Sequence, residues 1–307
     1  MKTRILTFVL MFTAAAGFAQ QDAQFTQYMY NTININPAYA GSRGALSIFG
    51  LHRTQWVGLD GAPVTNTLSM NTPINGSKLG LGLSFVNDRI GPTTENAISV
   101  DVSYTVPTSE TFNLSFGLKG TGNFYGLDAS KLDLDPTVPD DAALINYNKF
   151  TPNIGAGVYW HSDKSYIGLS VPNFIQNKKL NNSNGDNVAI LQERINYYLI
   201  AGHVFDLNPN IKFKPAILTK MVTGSPLQVD VSGNFMFYDK FVLGAAYRWD
   251  AAMSALAGFQ ITDGLYLGYG YDLETTRLRK YNSGSHEVFL RFELFNNYNK
   301  IISPRFF

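Results

Sequence analysis

The stretch Ile98-Ser99-Val100-Asp101-Val102-Ser103-Tyr104-Thr105-Val106 places an apolar side chain at every second position and a small or polar one between. A period of two belongs to a β-strand whose two faces meet different surroundings. Residues 79–85, 112–118 and 288–294 repeat the pattern. Strands are read at 44–57, 64–72, 78–87, 95–106, 112–125, 150–161, 165–172, 193–206, 211–222, 226–237, 240–249, 252–261, 264–273 and 285–295. No run of about twenty apolar residues, the length of a spanning helix, occurs in the mature chain. The expected fold is all-β, a transmembrane antiparallel β-barrel of about 14 strands.

The connections carry an independent signal. Those after every second strand, such as Ser162-Asp163-Lys164, Tyr238-Asp239 and Thr262-Asp263, are short and rich in turn residues. The long ones, 126–149, 173–192 and 274–284, all fall on the other side. Outer-membrane barrels have short periplasmic turns and longer extracellular loops. A soluble β-sandwich shares the alternation but has no reason to sort its loops this way.

Lys2 and Arg4, the apolar run from Ile5 to Phe12 and the small-residue exit ending at Ala19 have the build of a signal peptide over 1–19. Removing both cations takes the formal charge from +1 to about −1, so no global field attracts nucleic acid. Cysteine is absent, which excludes disulfides, thiolate nucleophiles and Cys-ligated metals. The expected organisation is 20–43 as a periplasmic or lumenal N-terminal segment, 44–295 as the barrel, and 296–307 as a periplasmic tail containing Pro304. Both ends of the mature chain are thus expected on the periplasmic side of an integral outer-membrane protein.

In the clearer strands Phe241, Leu243, Ala245, Tyr247 and Trp249 face lipid, while Val242, Gly244, Ala246 and Arg248 face inward. Trp56, Trp160, Trp249 and Tyr271 stand near strand ends, where an interfacial aromatic girdle belongs. Residues 195–200 choose no face cleanly. Gly80, Gly82, Gly268 and Gly270 all point inward, which fits two readings: glycines that let the barrel bend, or clearance for a segment inside the lumen. The candidate segment is the polar, aromatic stretch 20–43.

Chemistry is sparse. His52, His161, His203 and His286 are isolated, without metal spacing or a triad. No catalytic residue, cofactor or metal is expected, and the chain is not read as an enzyme. Asp128, Asp133, Asp135, Asp140 and Asp141 cluster in one loop, which reads as a solvated acidic loop or a calcium site lacking the regular loop spacing. Arg277, Arg279 and Lys280 form a basic loop suited to lipopolysaccharide phosphates or an acidic partner, or simply to water.

Gln24-Phe25-Thr26-Gln27-Tyr28-Met29-Tyr30-Asn31, then Asn36-Pro37-Ala38-Tyr39-Ala40-Gly41, then Arg53-Thr54-Gln55-Trp56 and the closing Ser303-Pro304-Arg305-Phe306-Phe307 resemble the PorP/SprF family of type IX secretion. That resemblance implies a non-enzymatic barrel that escorts or anchors a secreted adhesin carrying the longer C-terminal signal class, linked to secretion or gliding. The implied partners are that adhesin or its signal domain, other secretion components including the periplasmic ring, and outer-membrane lipid and lipopolysaccharide. Candidate partner-binding residues are Phe25, Gln27, Tyr28, Asn36, Pro37, Tyr39, Arg53, Trp56, Asp133, Asp135, Arg277 and Arg279. A passive porin or fatty-acid-type channel is the alternative from another class.

Overall fold

The structure, a computed structural model, describes residues 25–132, 146–177 and 193–294. The signal peptide, Asp133 to Asp141 and the C-terminal tail lie outside the described residues. Fifteen strand segments form one antiparallel sheet: β1 Leu46–Thr54, β2 Val64–Pro73, β3 Leu79–Ile90, β4 Thr93–Pro107, β5 Asn113–Leu127, β6 Tyr147–His161, β7 Ser165–Val171, β8 Asn196–His203, β9 Phe205–Asn208, β10 Ile211–Val222, β11 Gln228–Phe237, β12 Phe241–Arg248, β13 Ala252–Thr262, β14 Leu265–Glu274 and β15 Ser285–Leu294. Each pairs with its neighbours in sequence, except that β8 and β9 both pair with β10, and β15 pairs with β1, from Leu46 opposite Leu294 to Thr54 opposite His286. The sheet therefore closes on itself, and the short β9 is the segment paired on one side alone.

β8 and β9 are two halves of one stave, since both pair with β10, and the barrel has fourteen staves. The break falls at Val204, beside Pro215 of β10. A proline lacks the N–H that a ladder needs, so the interruption stands where a donor is missing. Residues 195–200 also resolve here: Asn196, Tyr198 and Ile200 point inward and Tyr197 outward.

The alternation read from 98–106 is observed in space. Ile98, Val100, Val102 and Tyr104 are exposed, while Asp101 and Ser103 are buried. Phe241, Leu243 and Tyr247 face out and Val242 is buried. An exposed apolar band with Leu68, Leu83, Leu118, Ile154, Leu169, Val231 and Leu290 circles the wall, and only lipid makes such a surface favourable. No helix among the described residues is long and apolar enough to cross a membrane. The strands cross it.

Several strands are longer than expected, β3, β4 and β6 by two or three residues. β3 and β4 continue to Ile90 and Thr93, leaving only Gly91-Pro92 between them, with Gly91 at φ 54°. Strands of twelve and fifteen residues exceed what the membrane requires, so this hairpin rises past the apolar band. At the opposite end Tyr238 and Asp239 take φ 54° and 55°, the two left-handed residues of a tight hairpin turn. The long connections 128–146, 172–195 and 275–284 all leave the long-loop end, and every connection at the short-turn end has five residues or fewer.

Candidate functional site: the occupied lumen

Residues 25–43 do not lie outside the wall. Phe25 through Ile33 are all buried, and so are Ile35 through Ala40. The segment folds locally as a 3-10 turn Tyr28–Tyr30, a single helical turn α1 Thr32–Ile35, and a second 3-10 turn Pro37–Tyr39. Asn36 sets up the last of these: its Oδ1 accepts from Ala38 N at 3.0 Å, and Pro37 occupies the first position, where no N–H is needed.

So short a string of turns leaves many backbone groups without partners of its own. In a closed barrel each must find one on the wall or remain buried and unpaired, at roughly 1–3 kcal/mol apiece. Glu287 Oε2 and Oε1 accept from Thr26 N and Gln27 N, both at 2.9 Å. Arg248 donates to Phe25 O at 3.2 Å, Lys119 to Ile33 O at 3.2 Å, Ser170 to Ile35 O at 2.6 Å, and Ser103 to Ala40 O at 2.7 Å. Gly41 N donates to Asn71 Oδ1 at 3.2 Å, and Asn36 Nδ2 to Val158 O at 3.1 Å. Strands from all round the barrel thus satisfy one irregular segment.

Buried charges hold the arrangement. Arg53, 2% exposed, pairs with Asp272 at 2.7 Å and Glu287 at 3.2 Å, and both it and Asp272 bond the Thr26 hydroxyl. Arg248 pairs with Asp230 at 3.0 Å and Lys119 with Asp101 at 3.0 Å. Arg43 forks onto Glu293, with its second contact at 3.0 Å. Desolvating such ions is costly, and mutual pairing with extra hydrogen bonds offsets it. Tyr30 packs against Tyr266 and Phe289, with ring centroids 5.4 and 4.9 Å away, and carries Lys214 and Arg291 over its face.

The inward glycines are explained by this segment. A Cβ on Gly80 would fall on the Ala40 backbone, one on Gly82 on the Ile33 side chain, and one on Gly270 would come within 3.1 Å of Gln27 Nε2. Clearance, rather than bending alone, is why these positions carry no side chain. Gly268 differs, because its neighbour is the Phe289 ring of the adjacent strand. Gly117 and Gly157, not singled out from sequence, make the closest approach, to Ala38 and to Asn36.

The structure gathers Phe25, Gln27, Tyr28, Asn36, Pro37, Tyr39 and Arg53 into the lumen, all of them buried. Trp56 stands at the long-loop rim, its indole N–H donating to Glu274 at 2.9 Å. Arg277 and Arg279 are exposed on a 3-10 turn of the last long loop, apart from the lumen group. Asp133 and Asp135 lie outside the described residues. The histidines bond to ordinary neighbours: His52 to Asn66, His161 to Ser115, His203 to Ser165 and His286 to Tyr269. No cluster among the described residues could hold a metal ion.

Sequence reading missed the wall partners Glu287, Asp272, Glu293, Arg248 and Lys119. A signal existed in β15, where Glu287, Arg291 and Glu293 share the face opposite Val288, Leu290 and Phe292. Charges on an inner face, interleaved with lipid-facing apolar residues, mark a lumen with something to bind.

This architecture is that of an outer-membrane β-barrel whose lumen is occupied by the chain's own N-terminal segment. Among solved structures it resembles the outer-membrane protein Omp33 of Acinetobacter baumannii (7% identity, 81% of this chain and 98% of that one, TM-score 0.49). It also resembles the toluene transporter TbuX of Ralstonia pickettii (8% identity, 85% and 92%, TM-score 0.49). No curated protein matches the sequence. Residues 17–292 match the family described as Type IX secretion system membrane protein PorP/SprF, and the chain belongs to that family. The family and fold are those of a secretion-system membrane barrel, an integral protein of the outer membrane associated with other components of that system.

Proposed function

We propose that this barrel works as a mount and not as a pore: it escorts or anchors a type IX-secreted surface protein, an adhesin of the longer C-terminal signal class, in secretion or gliding. The observation that carries the reading is the lumen. A passive channel needs an open, hydrated path, whereas here residues 25–43 occupy the interior and bond to β2, β4, β5, β6, β7, β12, β14 and β15. The segment that resembles the family signature is that same segment, so the signature serves closure of the barrel. The rigid wall then presents its long loops to the exported partner and its short turns to the periplasmic ring.

Partner contact on this reading falls to the rim residues, the exposed Arg277 and Arg279 and the half-buried Trp56 among them, and not to the buried ones. Phe25 to Tyr39 and Arg53 support the site by keeping the barrel closed and stiff. The test has two arms. Purified protein in a planar bilayer gives no large steady conductance, and deletion of the gene removes one secreted protein from the cell surface. Large conductance together with an unchanged surface proteome overturns the reading in favour of a channel.

A further inference from the structure

The lumen segment is buried along nearly all of its length and comes to the surface among the short turns. It runs from the long-loop end of β15, where Thr26 and Gln27 bond to Glu287, to the short-turn end, where Arg43 pairs with Glu293. Past the buried Ala40 the chain emerges: Gly41 and Ser42 are half-buried and Gly44 is exposed. This turn forms one wall of a cleft of about 300 Å³. The other walls are the β2–β3 turn at Ser77 and Lys78, the end of β4 at Thr105, the start of β5 at Asn113, and His161 at the end of β6. Glycine shapes the first wall, since Gly41 and Gly44 both take φ 72° and a Cβ on Gly41 would come within 3.0 Å of the Pro73 and Gly80 backbones.

The cleft opens on the aqueous mouth and not on the lipid face. Lys78 precedes the inward-facing Gly80 by two residues, so its side chain leaves the backbone on the inner side. Thr105 and His161 share the inner face with Ser115, to which both bond, at 2.7 and 3.3 Å. Their strand neighbours Tyr104 and Trp160 are exposed on the opposite face. Lipid headgroups therefore lie on the other side of the wall. The ionisable residues of the lining are Lys78 and His161, and among the described residues no acid lines it. Among the described residues, too, neither the Lys78 ammonium nor the Asn113 side-chain amide has a hydrogen-bond or ion-pair partner.

We infer that this cleft is the docking site for a carboxylate carried on an extended peptide of a periplasmic protein, and that the bound peptide lies against the Gly41–Gly44 end of the lumen segment. Lys78 supplies the charge and the Asn113 amide supplies N–H donors to the carboxylate oxygens. One lysine with one amide matches a monovalent carboxylate; a phosphate calls for more cations. The volume stands at the lower limit for ligand pockets, which suits one side chain with its flanking backbone. A partner seated there touches the segment that closes the barrel, so docking and closure are in direct contact. Only the choice of the short-turn mouth as the periplasmic one rests on the proposed function.

Two measurements test the site and its orientation separately. Purified barrel in detergent micelles is titrated with the blocked pentapeptide Gly-Ser-Glu-Ser-Gly and with its Gln counterpart, and binding is read from backbone amide signals by nuclear magnetic resonance. The Glu peptide shifts the signals of Gly41 to Gly44 and binds about tenfold more tightly than the Gln peptide, the difference of one charged hydrogen bond. Lys78→Gln removes the preference and Lys78→Arg keeps it. Equal affinity for the two peptides, or a preference unchanged in Lys78→Gln, overturns the site. For orientation, Asn75→Cys in the β2–β3 turn of this cysteine-free chain is exposed in the native host to a polyethylene-glycol maleimide too large to cross the outer membrane. Labelling only after permeabilisation supports the periplasmic partner. Labelling in intact cells overturns that partner, and with it the outward loops of the proposed function, while the peptide preference stands.

Discussion

The wall and the segment inside it solve the burial of a polypeptide in opposite ways. Wall strands bond to one another in a regular ladder and expose every second side chain to lipid, so the burial of Asp101 and the exposure of Val100 follow from position alone. The lumen segment has no period. Nearly every residue from Phe25 to Ala40 is buried, and its backbone groups are met one at a time by side chains from strands far apart in sequence. A regular element needs only its own neighbours, whereas an irregular one needs a receptor built for it.

The contrast makes the two regions sensitive to different substitutions. The largest expected effect is at Glu287, which holds two backbone N–H groups and Arg53 at once. Glu287→Ala leaves a buried guanidinium short of a partner and should lower stability by about 3–5 kcal/mol, measured by urea unfolding in vesicles. Conductance in a planar bilayer should appear with it as the segment loosens. A variant as stable and as tight as the parent would mean that this ion group does not hold the segment.

Next comes the wall. Leu243→Arg puts a charge on the lipid face and should cost about 2–4 kcal/mol if the position is at mid-membrane, without opening the lumen. Conductance rising in this variant would break the separation of the two regions. Gly117→Val is the mirror experiment, on the inner face of the same wall. The added side chain meets the Ala38 backbone, and overpacking of this kind costs about 1–3 kcal/mol. Protease sensitivity of the N-terminal segment should rise while far-ultraviolet circular dichroism stays that of a barrel. The smallest effect on stability, within about 0.5 kcal/mol, is expected for Arg277→Ala on the exposed loop. Its consequence should appear instead as less secreted partner retained at the surface, scored by whole-cell immunoblot; unchanged retention would take Arg277 out of the partner surface.

Much of the wall is legible in residue order because alternation is a local property. Ile98 to Val106 declares its two faces without reference to any other strand, and the sorting of long and short connections declares the two ends. The local signal fails where a decision belongs to a neighbour. Residues 195–200 look ambiguous until Tyr198 and Ile200 are seen to join the buried apolar cluster of the lumen segment, and the Gly91-Pro92 hairpin looks like a loop until β3 and β4 pair along their full length.

The candidate site divides along the same line. The stretch from Phe25 to Gly41 stands out in sequence as a motif too long and too aromatic for a leader, yet nothing in it names Glu287, Asp272 or Lys119 as its partners. Those residues lie 86 to 261 positions away and differ from other inward polar residues only in what they face. The inward glycines show the same limit, because bending and clearance call for the same residue.

Sequence alone determined that this protein is a closed membrane barrel with one long-loop end, a basic loop on that end, no cysteine, and a polar N-terminal stretch needing a place. Periodicity, turn chemistry and composition are short-range properties, and these conclusions need nothing more. Tertiary structure decided where the stretch goes, that it occupies the lumen, and in which direction it runs. Those facts depend on contacts between residues brought together only when the last strand closes against the first.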